Sequence, residues 1–180
     1  MCFAEVVKII KNIEIMQTIN IIGEIDDKAV ERFVEDVKEL DYEDGVLIQF
    51  DSNGGFLDAG YSIASIIMDL KQRTNVVATN IGNVMSAATL PYVVCSYRIF
   101  DTTKGEFLIH NASLEYISGD GDYLMKAAIS TLQTDNDLAD FYSAVSGKDP
   151  ELILARMSEN TAMKGWEIKY FNFADEIIEG

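Results

Sequence analysis

Gly45-Val46-Leu47-Ile48-Gln49-Phe50-Asp51-Ser52-Asn53-Gly54-Gly55 decides the fold class of this 180-residue chain. From Gly45 to Phe50 the run has too little alternation for a strand with one wet face, which points to a strand buried within a sheet. Asp51 to Gly55 breaks the run. The residues after it, Ala59, Ile63, Ala64, Ile66, Ile67 and Leu70, then recur at the spacing of a helix with one apolar face. Lys71 to Asn75 makes a surface turn, and a second apolar run, Val76 to Asn80, begins another strand. Strand, glycine-rich turn, helix and strand in this order build a mostly parallel sheet covered by helices.

The same unit recurs on both sides of this stretch. Upstream, Ile19 to Gly23 reads as a strand, and Asp26 or Asp27 can cap a helix whose apolar positions are Ala29, Val30, Phe33, Val34, Val37 and Leu40. Downstream come a short helix of small residues near Ser86, a strand from Tyr97 to Asp101, a turn over 102–105 and a strand from Glu106 to His110. Tyr116 to Asp122 is polar with two glycines and suits a mobile loop or an edge strand. From Tyr123 to about Ser143 a helix is expected with a long apolar stripe. At 1.5 Å per residue it runs about 30 Å, long for one domain of this size, so part of it should project and bury its stripe against another subunit. Gly147 and Pro150 end it, Asp149 caps a shorter helix over 151–157, and another short helix lies around 166–170. Residues 1–18 fit helix and strand equally and are set apart as an N-terminal arm, which leaves 19–180 as one domain.

Composition narrows the function classes. The chain carries 14 lysines and arginines against 30 aspartates and glutamates, a formal charge of -16, and such a surface repels nucleic-acid phosphates. No apolar run approaches the roughly 20 residues that span a bilayer, and the N-terminus lacks the small-residue cleavage site of a signal peptide, so a cytoplasmic protein is expected. Cys2 and Cys95 form no metal-ligand spacing, and Cys95 reads as a small core residue. No dinucleotide or P-loop motif is present, and no cofactor or metal is expected.

Chemistry enters at Gly82-Asn83-Val84-Met85-Ser86-Ala87-Ala88-Thr89, where a strand is expected to turn at the glycine into a helix near Ser86. A serine at such a junction can project its hydroxyl beside backbone N–H groups that the helix leaves unpaired, or it can simply cap the helix. His110, the sole histidine, ends another strand. Ends of neighbouring parallel strands converge on one sheet edge, where α/β folds place their sites. If Ser86 and His110 meet there, imidazole can take the serine proton during attack on a carbonyl and return it to the leaving amine. The N–H groups of Gly55 and Ala87 are then the candidates for holding the oxyanion. An aspartate, glutamate or asparagine has to fix the histidine tautomer, and the pattern alone does not choose one.

Ser52-Asn53-Gly54-Gly55, the segment Gly82 to Ala88 and Leu108-Ile109-His110-Asn111 together resemble the Ser-Pro-Gly-Gly, Gly-x-x-x-Ser and Met-Ile-His-Gln motifs of ClpP-type serine peptidases. The close, Gly165 to Asp175, looks like the family's last helix, turn and strand. The similarity runs over about 19–178 and is nearest to the short ClpP-like proteins of phages and prophages. It implies a ClpP/crotonase-like fold with Ser86 as nucleophile, His110 as base and Gly55 and Ala87 as oxyanion donors. The third triad position falls on Asn160, where the family usually has aspartate and its phage-like members often glutamate. Asparagine accepts the ring N–H but lacks the charge that stabilises imidazolium, so weaker activity is expected unless Glu159 or another acid reaches the ring. Asn53 in place of the usual proline is expected to loosen its turn. The resemblance makes 116–145 a handle that interlocks stacked rings, and implies unfolded protein substrates, a homo-oligomer such as a seven-membered ring or double ring, and an ATPase unfoldase as a partner. Two other functions compete with peptide hydrolysis: a structural or regulatory ClpP-like subunit with weak or lost catalysis, and a crotonase-like acyl-CoA enzyme, which would normally employ acidic side chains instead.

Overall fold

The computed structural model describes residues 13–180; most of the expected N-terminal arm therefore lies outside the described residues. Among these, β1 (Gln17–Ile25), β2 (Val46–Gly55), β3 (Val76–Met85), β4 (Tyr97–Asp101) and β6 (Glu176–Ile178) stand side by side in that order, and the two-residue β5 (Phe107–Leu108) also pairs with β3. All of these pairings are parallel. The first two crossovers are α1 (Asp27–Lys38) and α2 (Leu57–Leu70), and a 3-10 turn over Ser86–Ala88 leads into α3 (Thr89–Val93). Three further helices follow β5: α4 (Gly121–Ser146), α5 (Pro150–Ser158) and α6 (Gly165–Tyr170).

Local sequence accounts for the joints. Asp26 caps α1 by accepting from Ala29 N–H at 2.8 Å, and Asp149 caps α5 by accepting from Glu151 N–H at 2.8 Å. Gly147 ends α4 with a left-handed backbone. The central strands lack alternation because both faces are covered. Ile48, Phe50 and Ala78 join Phe33, Ile63, Ile67 and Tyr92 in the main core, while Leu47 and Val77 pack with Met16, Tyr97 and Ile99 on the other side. Tyr92 sits in an aromatic cluster with Phe50, Phe100 and Phe107. Cys95 is a core residue as expected, and burial pushes its thiol up to about 12.

Three strands depart from the sequence reading. Asp51 to Gly55 does not end β2: the strand carries on through both glycines, with Gly54 opposite Glu24 and Gly55 opposite Ile25 after a register shift. Gly82 likewise does not end β3, which runs to Met85. The pairings beyond the two shifts, Glu24 with Gly54 and Ser52 with Val84, supply ladder bonds that local pattern cannot register. Conversely, the strand expected over 106–110 shrinks to Phe107–Leu108.

α4 is longer than expected, 26 residues or about 39 Å. Its buried residues, Asp135, Leu138, Ala139, Tyr142 and Ser146, all lie in its second half. The first half exposes Tyr123, Leu124, Met125, Ile129 and Leu132. A groove of about 630 Å³ separates part of this half from residues 112–117.

Candidate active site

Two register facts build the site. The first half of β3 pairs with β4 through Val77, Ala78 and Thr79, and its last residues pair with β5, Val84 beside Phe107 and Met85 beside Leu108. Parallel neighbours advance together, so the residues just past Met85 and Leu108 emerge at the same sheet edge. Those residues include Ser86 and His110. His110 Nε2 lies 2.8 Å from Ser86 Oγ, a hydrogen-bond distance.

Ser86 is held in an uncommon conformation. Its φ is 53°, the left-handed region that non-glycine residues seldom occupy and that concentrates at functional sites. Its carbonyl accepts the Thr89 hydroxyl at 2.6 Å, and Thr89 Oγ1 lies 2.6 Å from the Tyr142 hydroxyl. Since the threonine proton is committed to the Ser86 carbonyl, Tyr142 donates to Thr89. Burial pushes the Tyr142 hydroxyl well above its ordinary range, which keeps it a donor.

The glycine end of β2 lies directly against the serine. A Cβ on Gly54 would come within 2.5 Å of Ser86 Cβ, and one on Gly55 would strike the Ile25 carbonyl, so both positions exclude side chains. This end is fastened from both sides: Asn83 N–H donates to Asp51 Oδ1 at 3.1 Å, Asn83 Nδ2 donates to Asn53 Oδ1 at 2.9 Å, and Glu106 N–H donates to Asn83 Oδ1 at 2.9 Å. Asn53 thus adds a side-chain bond between the ends of β2 and β3.

A cavity of about 240 Å³ opens beside the pair, lined among others by Gly55, Leu57, Ser86, His110, Leu138 and Tyr142. Gly55 thus faces the serine–histidine pair across this space. Ala87 follows Ser86 and is fully buried; as the second residue of the 3-10 turn, its N–H is among those a helix start leaves without an intrahelical acceptor. Asn160 is exposed in the turn after α5, with φ 49°, and is not among the residues that line the cavity. Glu159 is engaged by Arg156, whose Nη1 lies 3.3 Å from its Oε2. Among the described residues no hydrogen bond reaches the second ring nitrogen of His110. Nor does any group of three or more His, Cys, Asp or Glu side chains stand ready for a metal ion, or any helix prove long and apolar enough to cross a membrane.

The family model for Clp protease matches residues 4–180. The chain belongs to the Clp protease family. It has no match among curated proteins. Solved structures resemble it over almost its whole length. A mutant of ClpP1 from Listeria monocytogenes gives a TM-score of 0.75 at 21% identity, covering 98% of this chain and 96% of that one. ClpP1 from the same organism gives 0.73 at 21% identity, covering 99% and 97%. At that identity the likeness establishes the ClpP fold, here with its long helix α4. Asp51, Asn83, Thr89, Asp135 and Tyr142, which fasten the site, carried no signal in the sequence, because each acts on a partner 23 or more residues away apart from the Thr89–Ser86 bond.

Proposed function

We propose that this Clp protease family member is a serine endopeptidase that cleaves unfolded protein chains through an acyl-serine intermediate. The 2.8 Å approach of Ser86 Oγ to His110 Nε2 carries this reading. Ser86 Oγ attacks the peptide carbonyl carbon as its proton passes to Nε2. The Gly55 and Ala87 N–H groups take up the charge forming on the carbonyl oxygen. The imidazolium then protonates the departing amine, leaving the acyl group on Ser86, and water activated by the same ring hydrolyses the ester. Asn160 is the position at which the resemblance puts the group that orients His110, and its amide oxygen is the acceptor it would offer to Nδ1–H.

The active form is proposed to be a homo-oligomeric ring or stacked pair of rings, seven-membered as the resemblance implies, within which residues 116–145 act as the handle. The exposed apolar first half of α4 supports that assignment. Residues 19–180 make the single peptidase domain, of the short type similar to phage and prophage proteins. Cytoplasmic action on chains delivered by a separate ATPase fits this scheme.

A second reading is favoured by one observation: among the described residues no hydrogen bond reaches the second ring nitrogen of His110, and an imidazole without an acceptor on Nδ1 is a poorer base. On that reading the chain is a weakly active or regulatory subunit. Turnover of an unstructured protein by the assembled oligomer, followed by release of labelled peptides, separates the two. Turnover blocked by a stoichiometric fluorophosphonate is the expected result. An assembled oligomer with no blockable turnover supports the second reading.

A further inference from the structure

α4 reaches both halves of the serine–histidine pair from one face. Tyr142 supports the Ser86 carbonyl through Thr89, and Asp135, seven residues earlier and hence about two turns away on the same side, reaches the histidine segment. Asp135 Oδ1 accepts from Ala112 N–H at 2.6 Å.

Asp135 is only 5% exposed, and no ion pair to it is found among the described residues. A buried carboxylate without a cation is unfavourable unless its hydrogen bonds repay the lost hydration, and an apolar residue at this place would pack at no such cost. The bond it makes goes to backbone two residues from His110. That segment needs a fastening. β5 ends at Leu108, and 109–114 has no regular structure, so no ladder bond holds His110 from beyond. Ile109, fully buried, anchors one side of the histidine, and the Ala112 N–H bond anchors the other.

We propose that Asp135 is a positioning residue that fixes the His110–Ala112 segment and thereby holds His110 Nε2 at Ser86 Oγ. This rests on the reading of Ser86 and His110 as nucleophile and base. A charge-assisted bond of 2.6 Å is short and directional, and it leaves the imidazole little freedom to swing from the serine.

The test compares Asp135→Ala and Asp135→Asn with the parent in the full-length oligomer, measuring kcat and KM on a fluorogenic acyl-peptide together with thermal melts. Asp135→Ala should lower kcat about 100-fold, the scale set by a misplacement of about 1 Å, with KM within about 3-fold. Asp135→Asn, whose amide oxygen can accept the same N–H, should recover kcat to within about 10-fold of the parent. A parent-like kcat in Asp135→Ala, equal losses in the two variants, a loss confined to KM, or a loss that follows the fraction unfolded each overturns the inference. The parent and a Ser86→Ala control are measured first: turnover that does not depend on Ser86 overturns the nucleophile reading and this inference with it. A difference absent only at Asp135 overturns this inference alone.

Discussion

Replacing His110 by alanine should lower kcat for peptide hydrolysis by about 10⁴-fold and leave KM within a few fold, a loss of about 5.5 kcal/mol of transition-state stabilisation. The hydroxyl of Ser86 has His110 Nε2 as its hydrogen-bonded neighbour at 2.8 Å. Without that acceptor the alcohol must lose its proton to water while attacking, and only the backbone donors and substrate binding continue to assist. Ser86→Ala should match this loss, and the double variant should be no worse than either single one, because nucleophile and base act as a unit. Since His110 is partly exposed and its ring forms no other hydrogen bond found among the described residues, the melting temperature should change little. Steady-state kinetics of the purified oligomers check this; additive losses in the double variant would place the two residues in separate roles.

Gly54→Ala should lower turnover about 100-fold and destabilise the fold at the same time. The added methyl would lie 2.5 Å from Ser86 Cβ and 3.0 Å from both Ser86 Oγ and the Met85 carbonyl oxygen, closer than packed atoms approach. The backbone there has φ 105°, which an alanine adopts only under strain. Conformational strain and overpacking each contribute on the order of 1–3 kcal/mol, so a loss of about 2–6 kcal/mol is expected in chemical denaturation. Relief of the clash must move either the end of β2 or Ser86, and, with Ser86 the proposed nucleophile, its displacement by about 1 Å costs about 100-fold in rate. Assays well below the melting transition isolate the catalytic part; full activity in folded Gly54→Ala would mean that the end of β2 does not press on the serine as described.

The repeated strand–helix plan was legible because burial on both faces erases alternation in β2 and β3, and because α1 and α2 carry their apolar residues at helical spacing. Ser86 and His110 were legible as strand-end residues, and the ordered motifs gave their family. What pattern could not supply was long-range pairing. The register of β2 on β1 and β3 keeps both glycines in the strand, and Asn53 became a fastening once Asn83 stood opposite it. Nothing in the sequence singles out Asp135, since only the folded chain brings Ala112 N–H to it. Asn160 is a motif position, and a motif leaves open how α5 and the turn after it set its side chain relative to His110.

On the proposed function, a strained serine at the end of β3 is made nucleophilic by the histidine that β5 delivers beside it. Peptide mapping of the assembled protein after reaction with a fluorophosphonate tests it most directly. A single phosphonylated residue, Ser86, is expected, formed at a rate that falls at least about 100-fold when His110 is replaced by alanine. A phosphonyl group on another residue, or unmodified Ser86 in a fully assembled and folded oligomer, would contradict it.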